Sequence, residues 1–217
     1  MAKSILFDLD GTLTDPGMGI TNSAMYALEQ LHLPVPPRTE LYKFIGPPLR
    51  DSFREFYGMN DAEADEAIRL FRVYFADRGL HENELYEGVV PMLKALDESG
   101  FHLVLATSKP EQWAKVILDH FGLSRYIRDA AGATMDHSRS AKADVIAYAL
   151  ERFGVDPADA VMVGDRKHDM EGGRANGLPG VGVTYGYGDR AELTAAGAAA
   201  IADTPAELLT ILMGGTF

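Results

Sequence analysis

The 217-residue chain reads as an α/β protein, a parallel sheet with helices on both faces, interrupted early by a small all-helical segment. Three observations predict this. From Glu87 onward, short apolar runs alternate with stretches of helical periodicity, the pattern of strands joined by crossover helices. Between about residues 16 and 84 the apolar positions recur at helical spacing with no strand among them. The strongest apolar runs also end in polar residues, as strands do when their carboxyl ends line a site.

The elements follow in order. The chain opens on the strand Ile5-Leu6-Phe7, which ends in Asp8 and Asp10 and is broken by Gly11. Ile20, Ala24, Leu28 and Leu31 then mark a helix, stopped by Pro34-Val35-Pro36-Pro37. After a break at Ile45-Gly46-Pro47-Pro48 comes an aromatic helical stretch with Phe53, Phe56 and Tyr57. A third helix runs from Asp61 to about Arg78 on Ile68, Phe71 and Phe75. Helix near Pro91–Glu98, strand His102–Ala106 and helix near Glu111–His120 come next, then a weaker strand at 127–131. A helix from Ala141 to Phe153, the strand Ala160–Val163, a helix near Asp169–Asn176 and the strand Val181–Val183 complete the pattern. The fold class is therefore α/β: a Rossmann-like parallel sheet with helices on both faces, plus a small all-helical domain. The expected domains are an α/β core, residues 1–15 and 87–217, and a helical insert, residues 16–86, placed after the first strand.

Composition narrows the function classes. The formal charge of −12 argues against a nucleic-acid polymer or an anionic membrane as partner. No segment reaches the apolar length of a membrane span. Cysteine is absent, which excludes a disulfide framework, a thiolate nucleophile and Cys-ligated zinc. The first strand starts almost at Met1 and leaves no room for a signal peptide, so a cytoplasmic protein is expected, as monomer or homodimer. The six histidines show no ligand spacing, and His168 reads as exposed.

The chemistry concentrates at the strand ends. In an extended strand, residues two apart share a side, so Asp8 and Asp10 face the same space. A buried strand ending in paired acids is costly unless a cation, a proton or a substrate compensates them. One carboxylate can then act as nucleophile and its neighbour move protons, with a divalent metal screening both from an anionic substrate. The strand at 102–106 delivers Thr107, Ser108 and Lys109, and the strand at 160–163 delivers Gly164 and Asp165, with Asp169 four residues on. A Thr hydroxyl and backbone N–H groups after a strand suit phosphate oxygens. Magnesium takes a carboxylate or two with waters; Asp8 and Asp165 fit it, with the backbone carbonyl of Asp10.

The string Phe7-Asp8-Leu9-Asp10-Gly11-Thr12-Leu13-Thr14-Asp15 resembles the first motif of the haloacid dehalogenase-like hydrolases, a superfamily of mostly Mg-dependent phosphatases. Thr107, within Ala-Thr-Ser-Lys-Pro, falls at its second motif, and Gly164-Asp165 followed by Asp169 resembles its fourth. The resemblance implies that Asp8 is the nucleophile that becomes phosphorylated and that Asp10 protonates the leaving group and later activates water. The metal set is Asp8, Asp10 and Asp165 with Mg2+ as cofactor, supported by Gly164 and Asp169. Gly11, Thr107, Ser108 and a third-motif lysine would hold phosphate. Many relatives carry that lysine before Pro-x-Pro, which is missing here; Lys142 is the candidate and Lys109 its competitor.

Relatives carry a helical cap where residues 16–86 lie, which implies closure over the site, with Lys43, Gly46, Arg50 and Lys109 as possible substrate contacts. Asp15-Pro16-Gly17 and Tyr86-Glu87-Gly88 are the expected hinges. Phe-Ile-Gly-Pro-Pro-Leu-Arg-Asp-Ser-Phe and Gly-Val-Thr-Tyr-Gly-Tyr-Gly resemble the branch of phosphoglycolate phosphatases and, more closely, of bacterial 5′-nucleotidases. The expected substrate is a small phosphate ester, a nucleoside 5′-monophosphate first, since bases stack on aromatics such as those of the cap; 2-phosphoglycolate is the alternative. A dehalogenase would lack the acid at Asp10. A sugar phosphomutase shares every catalytic residue, and a receiver-like phosphoacceptor is the non-enzymatic alternative.

Overall fold

The computed structural model describes residues 3–215, and the chain divides into two compact units, Met1–Thr14 with Leu85–Phe217 and Asp15–Glu84. In the first, six parallel strands form one sheet: β1 (Ser4–Phe7), β4 (His102–Pro110), β5 (Asp129–Ala133), β6 (Ala160–Gly164), β7 (Gly180–Val183) and β8 (Ala200–Ala202). Their order is β5-β4-β1-β6-β7-β8. The helices α5 (Val89–Glu98), α6 (Glu111–His120), α7 (Lys142–Phe153), α8 (Lys167–Ala175), α9 (Arg190–Ala195) and α10 (Pro205–Gly214) connect and follow them. The short ribbon of β2 (Thr14–Asp15) and β3 (Glu84–Leu85) forms where the chain leaves the core and returns.

The register explains where a site must lie. β1 is buried throughout and pairs on both sides, Phe7 beside Leu105 of β4 and beside Val163 of β6. The chain builds outward from β1 through β4 to β5, then crosses back to place β6 on the other side of β1. This reversal makes the carboxyl ends of β1 and β6 a topological switch point, where a crevice opens in sheets of this kind. On one face, Leu6, Val104, Ala106 and Met162 of the sheet pack against Val145, Ile146 and Ala149 of α7. That packing fixes the start of α7 beside the ends of the central strands.

Most elements fall where the periodicity predicts, with shifts of a few residues. The weak strand expected at 127–131 is Asp129–Ala133, because the pairing with β4 begins at Val104 opposite Asp129. The helix expected from Pro91 starts at Val89, and the one expected from Asp169 starts at Lys167. The strand β8 and the helices α9 and α10 went unread, since three residues of an alanine-rich stretch carry no strand signal of their own.

The second unit is helical: α1 (Gly17–Gln30), α2 (Arg38–Leu41), α3 (Leu49–Tyr57) and α4 (Asp61–Tyr74). A capping box between Asn60 and Glu63 starts α4. The single helix expected to reach Arg78 instead changes pitch to a π-helical turn over Phe75–Gly79. Phe44 and Phe53 are buried with ring centroids 5.0 Å apart, edge to face, and Phe56 lies 5.4 Å from Phe44. These rings form the core of the unit. Phe53→Ala should therefore cost about 3–5 kcal/mol, read as a lowered denaturation midpoint; an unchanged midpoint would remove Phe53 from the core.

Candidate active site

Three adjacent strand ends, those of β4, β1 and β6, present the polar groups. Asp8 follows the last paired residue of β1, and its N–H donates to the carbonyl of Val163 at 2.9 Å. That bond extends the ladder one step and brings the Asp8 carboxylate to the edge of the sheet beside β6. Gly11, with φ of +85°, makes the turn that follows; a Cβ there would collide with the Asp165 carboxylate, so only glycine fits.

The pairing of β4 with β5 shifts register between Thr107 and Pro110. Such an irregularity re-aims side chains beside a site. The Thr107 hydroxyl accepts a bond from the Lys109 N–H at 3.2 Å, and Lys109 Nζ lies 2.7 Å from Asp10 Oδ2. Thr107 and Lys109 are buried and Ser108 is half-buried.

Lys142, the candidate for the third-motif lysine, lies buried beside Asp8. It opens α7, yet only 6% of it is exposed, against the ordinary expectation for a lysine in a first helical turn. Its Nζ lies 2.8 Å from Asp8 Oδ1 and 2.8 Å from Asp169 Oδ1, and donates to the carbonyl of Ala106 at 3.1 Å. Burial works to depress its pKa, but Asp169 and Asp8 outweigh burial and hold it above the ordinary lysine value. Lys142 is therefore a fixed cation beside Asp8, while Lys109 serves Asp10.

On β6, Asp165 is fully buried. Its Oδ2 accepts the Tyr187 N–H at 2.8 Å, and its Oδ1 has no hydrogen-bond partner. Asp169 sits in the first turn of α8 and accepts the Arg166 N–H at 3.1 Å; a Cβ on Gly164 would collide with it. Burial pushes Asp165 well above the ordinary carboxyl value, aided by the charges of Asp169 and Asp8. Burial likewise raises Asp169, to about 6, and raises Asp10, against the pull of Lys109.

One oxygen from each of Asp8, Asp165 and Asp169 lies within 4.8 Å of the others. Asp10 sends its carboxylate to Lys109 instead, so its part in the expected metal set rests on its backbone carbonyl. Among the described residues four buried carboxylates face two buried lysines, so the fully ionised site would carry two negative charges in excess. The orphaned Asp165 oxygen, the hard oxygen donors and that excess charge fit a divalent cation such as Mg2+.

The remaining expected contacts, Lys43, Gly46 and Arg50, belong to the helical unit. Lys43 Nζ lies 4.3 Å from the centre of the Phe56 ring, Arg50 pairs with Asp65, and Gly46 takes φ of +104° at the helix break. His168 is half-buried, not exposed as its sequence position implied, and burial lowers its pKa. The loop Tyr185–Gly188, part of the Gly-Val-Thr-Tyr-Gly-Tyr-Gly string, makes direct backbone contact with Asp165. Its alternating glycines were the available signal.

Such an arrangement, an acid pair at a switch point with a buried lysine and further carboxylates, belongs to an α/β enzyme built around an anion and a cation. The family model described as haloacid dehalogenase-like hydrolase matches residues 5–183, and the chain belongs to that family. It is 42% identical over 192 residues to a 5′-nucleotidase of Pseudomonas aeruginosa, covering 88% of this chain and 87% of that one. It is equally 42% identical over 184 residues to the tyrosine-protein kinase PtkA of Mycobacterium tuberculosis, covering 85% of this chain but 62% of that longer protein. A crystal structure described as a predicted phosphatase from Clostridium acetobutylicum superposes with a TM-score of 0.97 at 43% identity, over 99% of both chains. The chain is thus a phosphatase of the haloacid dehalogenase-like hydrolases. No helix among the described residues is long and apolar enough to cross a membrane.

Without metal, Asp165→Asn should be at least as stable as the wild type at neutral pH, because it removes a buried carboxyl group whose ionisation burial opposes. Mg2+ at a hundred times its Kd should stabilise the wild type by about 2.7 kcal/mol and leave the variant unmoved. Thermal unfolding with Mg2+ and with EDTA checks both; equal stabilisation of the two proteins would place the cation elsewhere.

Proposed function

We propose that the protein is a Mg2+-dependent phosphomonoester hydrolase that works through an aspartyl-phosphate on Asp8, with nucleoside 5′-monophosphates as its preferred substrates. The observation that carries this reading is the pairing of Asp8 with Lys142 at 2.8 Å beside Asp165 and Asp169, while Asp10 is held apart by Lys109. The two neighbouring acids of the first motif thus stand in different environments, as two different tasks require.

Asp8 attacks phosphorus with a carboxylate oxygen, forming an acyl phosphate as the bond to the ester oxygen breaks. Asp10 donates its proton to that departing oxygen. Its carboxyl is raised by burial, which favours the protonated form needed at that moment. Lys142 offsets the charge gathering on the phosphoryl oxygens, and the Thr107 hydroxyl with the backbone N–H groups near Gly11 and Ser108 orients them. Asp10, now ionised beside Lys109, takes a proton from the water that attacks the acyl phosphate, and phosphate leaves with Asp8 restored. Asp8 and Asp165, the carbonyl of Asp10 and the nearby Asp169 would hold Mg2+, which supplies charge stabilisation of the transferring group.

The substrate reading rests on the likeness to the Pseudomonas 5′-nucleotidase. Base stacking on the insert's aromatics does not support it for Phe44 and Phe53, whose rings are occupied in the core of that unit.

The test is phosphate release from AMP, UMP, 2-phosphoglycolate, sugar phosphates and p-nitrophenyl phosphate, with Mg2+ and with EDTA. Mg2+-dependent release ranked highest for nucleotides is expected; preference for 2-phosphoglycolate would replace the substrate, and no release from any would remove the reading. Asp8→Asn should abolish turnover and phosphoprotein formation, and Asp10→Asn should slow turnover by about a hundredfold or more. Lys142→Ala should cost about 10²–10³ in kcat. A smaller loss, confined to the proton-transfer steps, is expected for Lys109→Ala. The reverse ranking would exchange the two lysines' roles.

A further inference from the structure

One loop has no part in the chemistry above yet touches both halves of the site. After β7 the chain runs through Tyr185, Gly186, Tyr187 and Gly188. The Tyr187 N–H donates to Asp165 Oδ2, and Asp165 Oδ1 is left without a partner. Gly186 lies against the carbonyl oxygen of Gly11 and the Asp165 side chain so closely that a Cβ would collide with both. Gly188 lies as closely against the Asp165 carbonyl oxygen. Neither glycine has a positive φ; it is the lack of space, not conformation, that excludes a side chain there. The Tyr185 hydroxyl donates to the Thr12 carbonyl at 3.1 Å, and its ring packs edge to face on Tyr86 with centroids 5.1 Å apart.

We propose that the loop Tyr185–Gly188 is a brace that positions Asp165 for the divalent cation, with Tyr185, Gly186 and Gly188 as its positioning residues. The proposal rests on the reading of Asp165 as a cation ligand. A buried carboxylate with no fixed partner can rotate about its last bond and present either oxygen. The Tyr187 N–H engages Oδ2 and so leaves Oδ1 as the oxygen available to a cation held among Asp8, Asp165 and Asp169. The two glycines let the backbone come near enough for that bond, and the Tyr185 hydroxyl ties the loop to the turn that follows the nucleophile strand. The ends of β1 and β6 are thereby held at one spacing by a third segment. Outer groups that orient a metal ligand change metal affinity by about 10–100-fold when lost.

The experiment compares the full-length wild type with Tyr185→Phe, Gly186→Ala and Asp165→Asn. Mn2+ binding is followed by electron paramagnetic resonance, Mg2+ activation with p-nitrophenyl phosphate, and unfolding in EDTA by calorimetry. Gly186→Ala should weaken Mn2+ binding by about 10–100-fold, and Tyr185→Phe, which loses one hydrogen bond, by about 3–10-fold. The Mg2+ concentration for half-maximal activity should rise by the same factors, with kcat restored at saturating Mg2+ and KM unchanged. If Gly186→Ala does not fold, Tyr185→Phe alone decides. Wild-type affinity in Tyr185→Phe and Gly186→Ala, with binding lost in Asp165→Asn, would overturn the brace and leave Asp165 as ligand. A loss of kcat that Mg2+ does not restore would also overturn it. Equal Mn2+ binding by the wild type and Asp165→Asn, or none by either, would overturn the ligand reading beneath it.

Discussion

Charge compensation at the carboxyl edge of the sheet is the constraint on which the structure turns. Asp8, Asp10, Asp165 and Asp169 are all buried within a few residues of strand ends, and among the described residues Lys109 and Lys142 are the lysines buried with them. Carboxylates removed from water are tolerated only with opposite charge, hydrogen bonds or protons. The protein uses all three. Lys142 is shared between two acids, Lys109 is given to a third, and backbone N–H groups serve Asp165 and Asp169. Burial still holds Asp10, Asp165 and Asp169 above the ordinary carboxyl value. Such a balance would suit the dication and the phosphate of the proposed mechanism, each of which must enter and leave without dismantling the fold.

The fold meets the constraint with topology. Because β6 is laid on the far side of β1 after the chain has already passed through β4 and β5, acids separated by more than 150 residues end on adjacent strands. Packing of α7 on the sheet then carries Lys142 in from the side. Burial of Leu6, Val104 and Ile146 and the placing of one ammonium group are therefore a single structural event. A lysine at the mouth of a helix with no such packing would remain in solvent.

Relatives equally similar in sequence bear different names, a 5′-nucleotidase and a tyrosine-protein kinase, so the sheet by itself prescribes little of the substrate choice. In the proposed mechanism the strand ends handle the phosphoryl group, whatever carries it. The aromatic residues of the insert illustrate the same separation. They read from sequence as a surface for bases, but Phe44 and Phe53 are needed to give a unit of about 70 residues a core.

Much of this was legible in the sequence because it is local. Alternation of apolar runs and helices marked the α/β class, and the spacing of Asp8 and Asp10 placed both acids at one strand end. Gly164-Asp165 and Asp169 were marked by their position after a strand, and resemblance of those motifs pointed to the family. What only the tertiary structure decided was pairing across distance. It set Lys142 beside Asp8 and Lys109 beside Asp10, and brought the Tyr185–Gly188 loop against Asp165. No residue's own neighbours encode these choices. They follow from strand order and helix packing, which join segments far apart in the chain and so leave no periodic or compositional trace within any one of them.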